Sequence, residues 1–277
     1  LLFIAFCIIR ELKCNLVNLK KVKNMQLLTK DSNAKIKKTN KLTAAHYEFY
    51  NLTLTSRVIT KSDGTTFDPC PNANLFGCRE DCLRESGRGI FSNVRDARNK
   101  KLELFVNDRN AFMKMLSNEC LKIVKNRVIK LKKKVRIRLN TISDIDYLLI
   151  PCVRENITYK NIFMAYPELN FYDYTKIASR FGKKLPSNYH LTMSDSREPK
   201  AQKQIDYALK RGANIATVFF VKKGEPLPKI HRGRRVIDGD IDDNRIDDNK
   251  NIVVGLRLKG NEAIKNINNS NFVYMPI

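Results

Sequence analysis

The chain has 277 residues, 43% of them hydrophobic, with 14 Phe and 10 Tyr, a size and composition that exclude fibrous and wholly disordered classes. Its 52 Lys and Arg against 28 Asp and Glu leave a formal net charge of +24. Nucleic acid is therefore the first partner to consider, and a solvated surface rich in Lys, Asn and Ile is the alternative.

In chain order, the opening LLFIAFCII is apolar but too short to span a bilayer. With no basic region before it and no small-residue cleavage site after it, it does not read as a signal peptide either. The expectation is that residues 1–24 are not native, that the protein proper starts at Met25, and that residues up to 45, including LTKDSNAKIKKTNKLTAA, form a flexible leader. A single α/β domain is expected over 46–277. Without export the thiols stay reduced, which implies a cytoplasmic protein with no membrane attachment.

Tyr47 to Leu54 has strand composition, and Ser62-Asp63-Gly64 marks a turn. Cys70, Cys78 and Cys82 then fall within thirteen residues, CPNANLFGCREDC, whereas Cys7, Cys14, Cys120 and Cys152 are dispersed. Three thiolates gathered by a loop with Pro and Gly make a soft donor set, suited to an iron–sulfur cluster or zinc and ill suited to magnesium or calcium. Completed by a fourth residue the set is structural; left open on one metal it is reactive. Cysteines also pack as small buried hydrophobes, and in a secreted chain two of them would pair as a disulfide. The turn-like setting of Asp68, Pro69, Pro71, Gly77 and Arg79 argues against plain core packing.

From Ser92 to about Lys125 the pattern is helical and divides near Asn107-Asp108, with Val94, Ala97 and Leu104 on one apolar face and Phe112, Met113, Leu116 and Cys120 on another. The basic run LKIVKNRVIKLKKKVRIR, residues 121–138, reads as an amphipathic helix ending in a strand; it has no aromatic residue to stack a base. Strands are expected over Val135 to Asn140, Phe171 to Thr175, Asn188 to Ser194, Ile215 to Val221 and Ile252 to Leu256. Helical stretches are expected over Asn161 to Tyr166 and Lys200 to Arg211, the latter stopped by Gly212. Strands separated by helical patterns point to βα units and a parallel sheet.

In such a sheet, polar residues at the strand C-terminal ends face the site. Asn140, Thr141, Ser143 and Asp144, then Tyr174, Thr175 and Lys176, then Ser194, Asp195 and Ser196 would crowd one rim. The competing reading makes them caps and turn residues, Asp144 and Asp195 being natural N-caps. The acidic run VIDGDIDDNRIDD looks like a calcium loop, but counted from Asp238 an EF-hand needs Gly and Glu where Asp243 and Asn249 stand. It is expected to meet the basic surface or to supply a carboxylate to the site.

Several segments in order, KIKKTNKLTAAHYEFYNLTLT, CPNANLFGCREDCLRESGRG, VRDARNKKLELFVNDRNAFMKML, RIRLNTISDID, FYDYTK, NYHLTMSDS, VIDGDIDDNRIDD and IVVGLRLKG, resemble the gene-product-88-like family of phage proteins. The cysteine loop is in turn similar to that of radical-SAM-like phage proteins. That resemblance implies a partial (β/α) barrel with a [4Fe–4S] cluster on Cys70, Cys78 and Cys82, and one iron left for S-adenosylmethionine. The spacing differs, Cys-x7-Cys-x3-Cys here against the usual Cys-x3-Cys-x2-Cys.

The expectation is thus an α/β, partial-barrel-like phage protein with an N-terminal cysteine loop, an Fe–S cluster and radical-SAM-like chemistry on an unknown substrate. Asn140, Asp144, Thr175, Lys176 and Ser194 would line the catalytic site, with Lys176 receiving a carboxylate. The rival is a basic, non-enzymatic nucleic-acid-binding or host-takeover protein, in which zinc on the same thiolates, with Cys152 or His190 as fourth ligand, only braces the loop.

Overall fold

The computed structural model describes residues 25–61, 63–222, 224–259, 264 and 267–275; the expectation for residues 1–24 lies outside them. Among the described residues one large sheet is built from β1 (Leu28–Lys30), β2 (Tyr47–Leu52), β3 (Lys134–Arg138), β4 (Asn170–Thr175), β5 (Tyr189–Ser194), β6 (Asn214–Phe219), β7 (Ile230–His231), β8 (Arg234–Asp238) and β9 (Val253–Arg257). Their order across the sheet is β1-β2-β3-β4-β5-β6-β9-β8-β7. Neighbours from β2 through β8 run parallel, and only the outermost pairs, β1 with β2 and β7 with β8, are antiparallel. The sheet is the α/β architecture expected from the alternating pattern; it stays open, with β1 and β7 as its edges.

The helices are α1 (Ala34–Thr43), α2 (Ser92–Asn107), α3 (Arg109–Ile123), α4 (Ile162–Ala165) and α5 (Gln202–Leu209). The break between α2 and α3 falls at Asp108, whose carboxylate accepts the Ala111 amide at 2.9 Å and caps α3. Phe112, Met113, Leu116 and Cys120 are buried as expected. On α2 the buried residues are Leu102 and Phe105 rather than the Val94, Ala97 and Leu104 face. The reason is that only the second half of α2 lies over the core, where the Phe105 ring meets Phe112 edge-on at 5.1 Å and Tyr147 at 6.2 Å. After Ile123 the chain makes a wider π turn, Val124–Ile129, and drops into β3.

The segment 25–45, expected as a flexible leader, carries β1 and α1. The Leu27 and Leu28 amides donate to the Glu119 carboxylate, each at 2.7 Å. Asn33 caps α1, and Asn40 bonds both to the Phe49 amide at 2.7 Å and to its carbonyl at 3.1 Å. Polar side chains that pair with strand backbone anchor the segment, and composition does not register that kind of anchoring. Ile36 completes the attachment against Phe49 and Tyr172.

The acidic segment returns across the sheet to the basic strand residues. Buried Asp243 receives Lys35 at 2.9 Å, Arg138 at 3.4 Å and the Tyr172 hydroxyl at 2.9 Å. Asp247 meets Arg136 at 2.9 Å and Asp238 meets Arg257 at 2.8 Å. Among the described residues no helix is long and apolar enough to cross a membrane.

Candidate functional site at the strand C-terminal ends

The cysteine loop is held onto the C-terminal ends of the parallel strands by three hydrogen bonds. The Asp144 amide, after β3, donates to Pro69 O at 2.7 Å; Asn72 Nδ2 donates to Lys176 O, after β4, at 2.8 Å; and the Ser196 hydroxyl, after β5, donates to Phe76 O at 2.8 Å. Phe76 is the apolar anchor, fully buried with Met193, Ala201, Ile205 and Ile215. The loop closes through turn bonds such as Cys78 N to Ala73 O at 3.0 Å, with Gly77 in the left-handed region at φ 66°, where a side chain would be strained.

Arg79 ties the ends of this loop together. It pairs with Asp68 and donates to Cys70 O at 3.2 Å and Ser56 O at 3.3 Å. Asp68 in turn accepts the Cys70 amide at 2.8 Å, and the Ser56 hydroxyl lies 3.1 Å from Cys82 Sγ. Cys70 and Cys78 are buried and Cys82 is half-buried; all are free thiols.

The three sulfurs act electrostatically on one another and on Lys176. Burial pushes the Cys70 thiol up to about 12, only partly offset by the nearby Lys176 ammonium, and Cys78 is raised for the same reasons. Burial works against the charge on Lys176, yet Cys78, Cys70 and Asp144 beside it more than compensate and raise its pKa. At neutral pH Cys70 and Cys78 are therefore neutral thiols. Asp144 belongs to the same group: it accepts the Lys176 amide at 2.7 Å and pairs with buried Arg180 at 3.0 Å.

Of the residues expected to line a catalytic site, Asp144 and Lys176 thus join the cysteines. Asn140 does not. Its side chain staples the turn after β3, donating to Ile145 O at 3.0 Å and to Asp173 at 3.2 Å and accepting from Ser143 and the Ile145 amide. Thr175 accepts the Ile177 amide at 3.0 Å in a local turn, and Ser194 ends β5 as a buried residue. Neither residue expected as a fourth ligand reaches the loop. Cys152 packs in the larger core with Cys120, and His190 stands earlier on β5, next to the β4 residue Tyr172 in register. Among the described residues no group of three or more His, Cys, Asp or Glu is arranged to hold a metal ion.

Sequence reasoning missed Ser56, gave Asp68 and Arg79 no role beyond a turn-like setting, and missed the partners that gather around Asp195 on the same rim. Buried Asp195 accepts from Thr217 at 2.8 Å, His231 at 2.8 Å and Tyr274 at 3.2 Å and pairs with Arg232 at 2.9 Å. Asp195 is thus no helix cap, and its partners lie 22 to 79 residues away, so local spacing carried no signal of them.

Comparison with the curated proteins and with the solved structures gave no match. The radical SAM likeness of the cysteine loop finds no support there. A family model described as gene product 88 matches residues 26–275. Because that match covers most of the chain, cysteine loop and parallel sheet together, the protein belongs to the gene product 88 family, the phage family its sequence resembles.

Proposed function

We propose that the cysteine loop is a metal-binding site in which Cys70, Cys78 and Cys82 provide three thiolates, with an iron–sulfur cluster as the favoured group. The observation that carries this reading is the seating of the Cys70–Cys82 loop on the C-terminal rim of a parallel sheet, through Asp144 on Pro69 O, Asn72 on Lys176 O and Ser196 on Phe76 O, where α/β proteins place their sites. The donor set suits a soft metal. The described thiols are not yet set as ligands, so loading requires them to deprotonate and close on the metal, releasing protons.

When bound by three cysteines, a [4Fe–4S] cluster leaves one iron open to S-adenosylmethionine, the source of radical chemistry. This chain's part is to offset the thiolate charge with Lys176, to hold Lys176 in place through Asp144, and to shield the site with the Phe76 side of the loop. A second reading has zinc brace the loop of a nucleic-acid-binding protein; the net charge of +24 favours it.

The test is iron, zinc and acid-labile sulfide content of protein purified without oxygen from Met25 onward. Iron and sulfide that are lost in Cys78→Ser support the cluster, and S-adenosylmethionine cleavage then tests the chemistry. Zinc alone shifts the assignment to the bracing role, and protein that takes up neither metal refutes the site.

A further inference from the structure

Beside the cysteine loop lies a pocket of about 420 Å³ whose wall includes Arg57, Arg84, Arg95 and Arg98, with Thr55 next to them and Asp96 as the acidic lining residue. That volume suits a small ligand or one segment of a larger one. Among the described residues Arg57, Arg95 and Arg98 form no ion pair. Two of them are fixed by backbone: Arg95 Nη1 donates to Ile90 O at 2.7 Å and Gly89 O at 3.1 Å, and Arg98 Nη1 to Arg84 O at 3.1 Å. The guanidinium groups of Arg95 and Arg98 are therefore held in place by carbonyl oxygens, with no ion pair among the described residues. Burial, and then the charge of Arg88, lower the pKa of Arg98, with Cys82 acting in the opposite direction.

Two further features fit an anion. Arg95 and Arg98 stand on the first two turns of the sixteen-residue α2, so the positive end of the helix adds to the field. The pocket also adjoins the thiols, since its lining residues Thr55 and Arg57 flank Ser56, whose hydroxyl is 3.1 Å from Cys82 Sγ.

We propose that this pocket binds the phosphate groups of a phosphorylated ligand, either the polyphosphate of a nucleotide or successive phosphates of a nucleic-acid strand, and presents that ligand beside Cys82. Planar guanidinium forks match phosphate oxygens two at a time, which a lysine surface cannot do. The proposal does not depend on a metal, and its test is made on metal-free protein.

Calorimetric titration with pyrophosphate, ATP and an oligothymidylate strand compares wild type with Arg57→Gln and with Arg57→Gln/Arg98→Gln. Arg57 is exposed and its side chain has no hydrogen bond among the described residues, so the single variant keeps its fold. Binding that weakens about tenfold or more in the double variant, and measurably in the single one, supports the pocket. A control, Lys130→Gln/Lys132→Gln, on the basic run before β3, should leave it unchanged. If pyrophosphate and ATP bind, the source is a nucleotide. If only the oligonucleotide binds, with log affinity falling by about 0.7 per phosphate contacted for each unit of log salt, the source is a strand. The proposal is overturned if no probe binds, or if binding survives loss of both arginines and is lost in the lysine control.

Discussion

Lys176 illustrates how one charge can act on two neighbours at once. Its ammonium works against burial in keeping Cys70 and Cys78 ionisable, while their sulfurs help keep it protonated. In Lys176→Met the thiols should titrate higher still. Alkylation of metal-free protein by iodoacetamide at pH 9 should then slow, by about tenfold for each unit that the pKa rises. Peptide mapping reads this at Cys70 and Cys78 separately, and an unchanged rate would mean that the lysine does not govern them. The cysteines were legible in the sequence because their clustering is local, and Lys176 and Asp144 were legible as polar residues closing strands. Arg79 and Ser56 were not, because they act on backbone carbonyls and on a sulfur across a loop, and nothing in their immediate sequence signals that. Asn140 misled in the opposite direction: the amide that looked free for a ligand is spent on Ile145, Ser143 and Asp173.

At the scale of elements, hydrophobic period located most strands and the two long helices, and the Asn107-Asp108 division fell where the cap is. What it could not locate was a polar side chain working as an architectural joint. Asn188 donates from one amide nitrogen to the carbonyls of Phe163, Tyr166 and Leu169, at 3.0, 3.0 and 2.9 Å, and so closes the turn that follows α4 and leads into β4. By sequence it reads as the first residue of a strand. Asn188→Ala leaves those carbonyls without this donor and should cost about 1–3 kcal/mol. The urea midpoint should fall while the slope of the transition stays constant; a midpoint equal to that of wild type would show that water satisfies the carbonyls as well. The segment 25–45 makes the same point: Asn40 ties α1 to β2 and Glu119 ties the start of β1 to α3 through polar contacts that composition reads as solvent-facing.

Over the whole molecule, the excess of positive charge is unevenly compensated. The acidic return segment gathers carboxylates over β3 and α1, while the α2 end keeps its arginines. Burial alone would raise the Asp243 carboxyl, but Lys35, Arg138 and Arg245 around it outweigh burial and hold it well below the usual carboxylate range. A carboxyl depressed in the folded state contributes stability that is fully present above its unfolded pKa, near 4, and is lost as the pH falls through its folded value. Asp243→Asn strands the buried cations and should cost about 3–5 kcal/mol at pH 7. Urea midpoints followed from pH 7 to pH 2 should show the gap from wild type narrowing below about pH 4; a gap constant over that range would exclude Asp243 as the linked group. Composition and the alternating pattern pointed to a basic α/β protein, but only the tertiary arrangement reveals which basic residues are already neutralised.

The strand order has a temporal consequence as well. β2 through β6 are laid down side by side in the order in which the chain emerges, but β9, the last of the sheet strands, inserts between β6 and β8. Until β9 arrives, the β7–β8 hairpin has no place in the sheet, and the buried strand NIATVF of β6 presents an unpaired parallel edge. A nascent chain can therefore assemble the half that carries the cysteine loop early, whereas the half that buries Asp195 beside His231 waits for its final quarter. Sequence-distant pairings of this kind are slow to form, so the interval during synthesis when β6 stands uncovered is the period in which this protein is most exposed to self-association.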